Sequence, residues 1–478
     1  MSDTKDAGKV ETAAPIAATD EPKTFSYKGE VVNASTLANA GVVACELPDT
    51  QVPAIQTGGW GGQAATKLPK LIVVTNVQES PLGKTNCLIS YASYLGKQQF
   101  QLRSINVPND FAVKRLTGKQ AEKMIGSYQK IEFDNLHQNL GHNFYVGSDP
   151  EIFVEDADGK IIPAFTFLGS KAGKENMTRQ KRLVYWDGPQ AQFETVAGGC
   201  LAYHVDSIQE GLETVYKAAK AVNKNAKLSV KTVMEVGYDV LQSAKEEHIA
   251  FGCMPSENVY GLKGKEVPAR ELPFRSAGGH IHFGIGDKNK NSEQVKQMVR
   301  AMDAILAVCC VSLFAKYDNP IRRQFYGMAG EYRTPKHGLE YRALSNAWIC
   351  HPMVAHLVVD LARKCLVFGE KGFLKYWESS EEETINCVQN CDVDLAHKIM
   401  DRNRATLLKI FRAAYSYLSE KQLENAYHIF YDGVDVAIKN PGDIVGNWKL
   451  DGGWVGHSGA DGATCSTGME HVKAGGKV

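Results

Sequence analysis

The chain has 478 residues, of which 44% are hydrophobic and 23% charged, and its 54 Lys+Arg are matched by 54 Asp+Glu. That length gives room for two or three domains of ordinary globular composition, and the zero net charge excludes the global basic field of a general nucleic-acid binder. No run of eighteen apolar residues marks a membrane-crossing helix, and the N-terminus, Met-Ser-Asp-Thr-Lys-Asp-Ala, lacks the basic-then-apolar pattern of a signal peptide.

Residues 1–66, rich in Ala, Thr, Gly and Pro and closed by Gly58-Gly59-Trp60-Gly61-Gly62, are expected to be a low-complexity arm. A strong strand at Leu71-Ile72-Val73-Val74 opens a small accessory α+β region, 67–142. Gly83-Lys84-Thr85 follows it, but Gln78 stands where a phosphate loop needs its first glycine, so that reading is rejected. The main domain, 143–375, carries strand patterns at 144–154, 161–167, 182–186, 190–196, 279–285 and 338–344. Between them lie amphipathic helices at 201–223, 291–316 and 352–369. A helical region, 376–445, holds helices at 394–418 and 420–438, and a Gly-rich tail, 446–478, ends the chain. Strands interleaved with helices in unequal groups predict an α+β fold, an antiparallel or mixed sheet with helices on one face. Eleven cysteines without a repeating frame read as free thiols of a reducing compartment. Cys387 and Cys391 have no second pair at metal-site spacing and read as incidental.

Four constellations could carry chemistry. In Ser148-Asp149-Pro150-Glu151, the two acids share one strand face, as oxygen ligands for Mg²⁺ or Mn²⁺ or as a solvated edge. In Trp186-Asp187-Gly188-Pro189, a turn leads to a strand whose Gln190, Gln192 and Glu194 either see water or line a polar cleft. In Arg275-Ser-Ala-Gly-Gly-His-Ile-His-Phe283, the alternation points His280 and His282 one way and Ile281 and Phe283 into a core, and the double glycine allows close approach of a ligand. Last, 319–346 gathers Arg322, Arg323, Arg333, Lys336 and Arg342 near Glu331 and Glu340. Arg forks suit phosphate oxygens, and Gly327 and Gly330 allow a loop to fold over them.

In one order along 143–370, Ser-Asp-Pro-Glu-Ile-Phe, Ile-Pro-Ala, Gly169-Ser170-Lys171, Trp-Asp-Gly, Gly-Cys-Met-Pro-Ser, Ala-Gly-Gly-His-Ile-His-Phe-Gly, Arg-Arg-Gln-Phe-Tyr-Gly and Gly-Leu-Glu-Tyr-Arg-Ala-Leu-Ser-Asn resemble the type-2 COOH–NH₂ ligases (amidoligases) found largely in tailed phages. The resemblance implies a glutamine-synthetase-like curved antiparallel sheet, and ATP-dependent joining of a carboxylate to an amine through an acyl-phosphate. On that mapping Glu151, Glu194, His282 and Glu340 become metal ligands for Mg²⁺ or Mn²⁺, with His280 the alternative imidazole or a nucleotide contact. Arg275, Arg323, Arg333 and Arg342 become phosphate or acyl-phosphate contacts, with Glu340, Arg323 and Arg342 closest to the chemistry, and Lys171 becomes a weaker substrate contact.

One position departs from the family. Its Asp-Gly strand carries a Glu before Phe, where this chain has Gln192. An amide brings no charge, and Glu194, roughly 7 Å further along the same face, is the available substitute. The leading expectation is an amide ligase of the infected bacterial cytoplasm, acting on a peptide, cell-wall precursor or protein, without nucleic acid or membrane and with homo-oligomerisation open. The alternative is a virion-associated structural or assembly protein on a degenerate ligase fold, its Gly/Ala/Thr-rich arms reaching neighbouring phage proteins. A metal-dependent hydrolase using His280 and His282 is the third reading, and it leaves the Arg cluster without a use.

Overall fold

The computed structural model describes residues 25–48, 70–81, 83–94, 100–135, 144–169, 176–249, 256–285 and 292–452. The chain divides into two compact units, Met1–Asn135 and Leu136–Val478.

In the first unit, β1 (Gly29–Asn33), β2 (Val43–Glu46), β3 (Leu71–Ser80), β4 (Gly83–Tyr94), β5 (Phe100–Pro108) and β6 (Ala112–Leu116) form one sheet of order β1-β6-β2-β3-β4-β5. All its pairings are antiparallel. The unbroken apolar run of β3 follows from burial on both faces. Ile72 and Val74 pack with Leu37, Ile89 and Tyr91, while Val73 and Ala92 meet Tyr128 of α1 (Lys119–Asp134). Part of the expected arm is therefore sheet. Val43-Ala44-Cys45 is too short a run to stand out in an Ala/Thr-rich background, yet it is buried between β6 and β3. Glu46, fully buried, closes that strand by accepting hydrogen bonds from the amides of Ser26 and Tyr27. Residues 1–24, 49–69 and 453–478, the rest of the expected arms, lie outside the described residues. Gly83-Lys84-Thr85 opens β4, as its rejection as a phosphate loop requires.

The second unit is α+β. β7 (Tyr145–Ser148), β8 (Glu151–Glu155), β9 (Val184–Asp187), β10 (Gln190–Phe193), β11 (Lys227–Ser229), β12 (Val233–Glu235), β13 (Glu257–Asn258), β14 (Phe274–Ser276), β15 (Ile281–Gly284), β16 (Glu331–Arg333) and β17 (Leu339–Tyr341) make three antiparallel sheets. Their orders are β11-β8-β10-β9, β12-β14 and β13-β16-β17-β15-β7. The expected single strand 144–154 divides at Asp149-Pro150, because proline has no amide for the ladder, and its halves serve different sheets. Around Pro163 the expected strand 161–167 is instead a 3₁₀ turn, Ala164–Thr166.

α2 (Leu201–Val222) buries Leu201, Val205, Ile208, Leu212, Val215 and Ala219, a three-four spacing that makes one stripe. At Gly211 an added Cβ would lie 2.1 Å from the Phe193 ring, so this glycine lets the helix sit down on β10. α3 (Ser292–Ala301) and α4 (Val308–Leu313) continue one another through a π-helical stretch, Met302–Ala307. α5 (Pro352–Glu370) is buried from Pro352 to Gly369, the pattern of a central core helix. The expected helix 394–418 is two, Val393–Arg402 and Arg404–Ala414, divided where buried Asn403 turns its amide back to the carbonyls of Glu378 and Ile399.

Asp303, in the π-helical stretch, has no exposed surface, and burial pushes its carboxyl up to about 7. The protonated form is favoured by folding, so its stabilising contribution is complete below about pH 4 and lost as pH rises through about 7. Asp303→Asn should remove that slope. Urea midpoints of variant and wild type, compared from pH 5 to 8, should diverge in the variant's favour as pH rises. Separately, Gly211→Ala should cost about 1–3 kcal/mol by forcing Phe193 aside, read as a lower unfolding midpoint.

Candidate active site

Strand register assembles the site. Across β16, β17, β15 and β7, one row reads Arg333–Glu340–His282–Gly147, and the next reads Tyr332–Tyr341–Ile281–Ser148. Tyr332, Tyr341 and Ile281 are buried in the core, so the alternation expected of the His-Ile-His and Glu-Tyr-Arg segments holds.

Glu340 is almost wholly buried and receives both arms of Arg333, Nε to Oε2 and Nη2 to Oε1, each at 2.8 Å. Arg342 Nε stands 3.6 Å from Glu340 Oε1, and Nη2 of Arg342 donates to the hydroxyl of Tyr326 at 2.8 Å, with the guanidinium 5.1 Å above the Tyr326 ring. The same hydroxyl meets Nε2 of His280 in a short hydrogen bond. His280 Nδ1 lies 3.4 Å from Asp149 Oδ1 and 3.6 Å from Glu340 Oε1.

His282 donates from Nε2 to Asp149 Oδ1 at 2.8 Å, and its Nδ1 is 3.0 Å from Nε2 of His337. Burial opposes charge on His282, but the Asp149 carboxylate outweighs it and holds the imidazole above its ordinary range. Burial and the neighbouring His282 hold His337 below its own. Burial likewise opposes ionisation of Asp149, yet His282 and His280 keep it well below the usual carboxylate range. Gln192 completes the shell, Nε2 donating at 3.0 Å both to the carbonyl and to Oδ2 of Asp149.

A cavity of about 610 Å³ opens beside this network. One wall is apolar, with Val267, Pro268, Leu272, Phe274 and Phe325, and Tyr326 joins it. The acidic end carries Glu151, Asp187 and Gln190, and Arg275 and Arg322 also line the cavity. Burial raises Glu151 to about 8, with Asp187 and Asp149 adding like-charge repulsion, although the Gly278 amide donates to it at 2.7 Å. Burial and Asp149 also raise Glu194. Gln190, 8% exposed, donates from Nε2 to the Ser276 carbonyl at 3.3 Å, which leaves Oε1 buried without a hydrogen-bond partner.

That acidic end suits a hard divalent cation. Among the described residues no three His, Cys, Asp or Glu side chains are placed to hold a metal by themselves. Mg²⁺ needs no such cage, since it is commonly held by one or two carboxylates and completed by water and phosphate oxygens. Two buried carboxylates, Glu151 and Asp187, beside the orphaned amide oxygen of Gln190, form such a partial set.

Of the residues expected to hold metal, Glu151 lines the cavity. Glu340 is bound by Arg333, His282 by Asp149, and Glu194 lies further along its strand, next to Asp149 in charge. Arg333, Arg342 and His280 come together around Glu340, whereas two expected phosphate contacts are spent on the protein's own backbone. Arg275, 2% exposed, donates to the carbonyls of Leu272, Phe274, Ile249 and Ala269. Arg323, also 2% exposed, donates to those of Gly327 and Ala343 and to Asp318 at 3.0 Å. The glycines expected to admit a ligand serve packing. A Cβ on Gly279 would meet Trp348 Nε1 at 2.2 Å, and one on Gly327 would meet Arg322 Nη1 at 1.8 Å. Lys171 lies outside the described residues.

Asp187, Gln190, Gln192 and Asp149 belonged to recognised segments whose faces the alternation had already grouped. Tyr326, in the Arg-Arg-Gln-Phe-Tyr-Gly segment, and His337, in 319–346, were not singled out there, because each reaches the site through a loop, where no strand alternation assigns a face.

Residues 230–450 match the family model described as phage phiEco32-like COOH-NH2 ligase-type 2. The matched span includes β14 to β17, with His280, His282, Tyr326, Arg333, His337, Glu340 and Arg342, and begins after Glu151 and the β9–β10 hairpin. Solved structures similar to the chain include a bifunctional glutathione synthetase from Pasteurella multocida, at 12% identity over 68% of this chain and 52% of that one, TM-score 0.32. A complex of the prokaryotic ubiquitin-like protein Pup with its ligase PafA is similar at 12% identity over 60% and 63%, TM-score 0.34. A novel glutamine synthase homolog is similar at 10% identity over 69% and 79%, TM-score 0.29. The chain thus spans about half the length of the first and under two thirds of the second. Comparison with curated protein sequences gave no match. No helix among the described residues is long and apolar enough to cross a membrane.

Gln192→Glu would replace the donor to Asp149 with a second carboxylate. We expect about 1–3 kcal/mol lower stability without divalent cation. Mg²⁺ should recover more stability in the variant than in wild type, both read from urea midpoints. Unchanged metal-free stability would remove Gln192 from the Asp149 network.

Proposed function

We propose that the protein is an ATP-dependent carboxylate–amine ligase that forms an amide through an acyl-phosphate, on a glutamine-synthetase-like fold. The observation that carries this reading is the two-sided cavity, apolar on one wall and carboxylate-lined at its end, beside a network containing Arg333, Arg342 and Glu340. The family match over 230–450 supports it.

The apolar wall suits a purine, and the volume lies within the range of small-molecule sites. Glu151, Asp187 and Gln190 Oε1 would hold Mg²⁺ or Mn²⁺. When bound, the ion offsets triphosphate charge and aligns the γ-phosphoryl group. The protein's own part is placement. Arg342 and Arg333, fixed by Glu340, supply positive charge beside the cavity, and charge of that kind stabilises a transferring phosphoryl group without reorganising as the reaction proceeds. A substrate carboxylate oxygen attacks the γ-phosphorus and ADP leaves. An amine nitrogen then attacks the acyl carbon, and inorganic phosphate departs with the C–O bond. The carboxylate and amine partners fall in the class of a peptide, a cell-wall precursor or a protein. No feature of the described residues favours the assembly alternative.

Calorimetry and ADP release with the full chain test this. Wild type should bind ATP more tightly with Mg²⁺ than with EDTA and release ADP when given a carboxylate and an amine. Glu151→Gln and Asp187→Asn should each lose about tenfold or more of the Mg²⁺-dependent affinity. Glu340→Gln should retain nucleotide binding better than turnover. A wild-type chain that neither binds nor hydrolyses ATP ends the ligase reading.

A further inference from the structure

The carboxylate of Asp303 takes no part in the network above, yet it touches both the strand that presents Glu340 and the segment that leads into the cavity wall. It lies in the π-helical stretch Met302–Ala307, with no exposed surface, on the helical layer behind the five-stranded sheet. Single π-turns inside α-helices reaim side chains and recur at functional positions. Here the reaimed side chain accepts the hydroxyl of Tyr341 at 2.5 Å. Tyr341 is the core-facing residue between Glu340 and Arg342, so fixing its hydroxyl fixes the pitch of the strand that presents them.

The hydroxyl of Tyr260 faces the same carboxylate. Tyr260 follows β13, in a turn tied by Asn258 to Tyr260 N at 2.9 Å, Leu262 N at 3.1 Å and the Ala329 carbonyl at 2.7 Å. Its ring rests on Gly330, where a Cβ would come within 2.6 Å. The chain leaving that turn becomes the cavity wall, Lys265 to Leu272. The cavity wall that follows β13 and the strand β17, which presents Glu340 beside the cavity, therefore share a single buried acceptor.

We infer that Asp303 is a positioning residue, which holds the Glu340–Arg342 strand through Tyr341 and the 256–272 wall through Tyr260, and so sets the spacing between that wall and the Glu340–Arg342 network. The binding arm of the test rests on the ligase reading, and the exchange arm is independent of it. Asp303→Asn keeps an oxygen acceptor of the same size, and Asp303→Leu keeps the volume but removes the acceptor. In the full chain, Asp303→Leu should raise amide hydrogen exchange in 256–272 and 338–343 by about tenfold, the equilibrium worth of one hydrogen bond, with the rest of the unit unchanged. Mg·ATP affinity should weaken by a similar factor, and Asp303→Asn should keep both within about threefold of wild type. Tyr260→Phe should move the first segment alone and Tyr341→Phe the second alone. Wild-type exchange in Asp303→Leu, or an increase spread evenly over the chain, overturns the inference. If wild type binds no Mg·ATP, the ligase reading fails while the exchange result still decides the role of Asp303.

Discussion

A carboxylate in a place with almost no water must be answered, and the arrangement around Glu340 is the answer on which the rest of the site depends. Its two oxygens take the two arms of Arg333, and Arg342 stands behind with its fork turned to Tyr326. A bidentate pair fixes direction as well as distance. That fixes β16 against β17, and the register then places His282 opposite Glu340 and Gly147 beyond it. Asp149, one residue past the end of β7, is thereby brought under the two imidazoles. Breaking such a pair would leave a buried charge unpaired, which costs more than the pair contributes by forming.

The carboxylate in the cavity lining follows a different logic. Glu151 is about as buried as Glu340, yet burial and the charges of Asp187 and Asp149 outweigh the pull of Arg342 and raise its proton affinity. Raised proton affinity is the sign of charge left uncompensated. Proteins concentrate such imbalance where a cation or a proton is to be handled.

This contrast explains which parts of the site the sequence could show. Alternation along a strand is local, so Ile281 and Tyr341 inside, with His282 and Glu340 on the other face, could be read from spacing alone. So could the α+β class, from strands and helices in unequal groups. What guanidinium forks bind is not local. Arg275 and Arg323 have the same chemistry as Arg333 and lie in the same kind of segment. They are nonetheless occupied by carbonyls from 26 residues upstream and 20 residues downstream respectively. Glycine is ambiguous in the same way, because room made for a ligand and room made for Trp348 or Arg322 look identical along the chain. The strands β1 and β2 escaped notice for a further reason. β1 is an exposed edge strand that exists through its pairing with β6, and the four residues of β2 gain their burial from β3 and β6, which are distant in sequence.

Gln190 and Gln192 show how little of this is decided by residue type. They share one strand and one face of the sheet, two residues apart. Gln192 turns its amide nitrogen to Asp149 and so strengthens an anion already held by two imidazoles. Gln190 spends its nitrogen on a backbone carbonyl and is left with an oxygen pointing into buried space beside Glu151 and Asp187. One amide is a donor that completes a network, and the other is an acceptor that leaves one incomplete. A glutamate at 192 would push Asp149 toward protonation and compete for His282, which would undo the orientation that the histidines depend on. The neutral residue at 192 therefore does not empty the site of charge. It divides the acidic face in two, with Asp149 committed to the histidines and Glu151 and Asp187 lining the cavity.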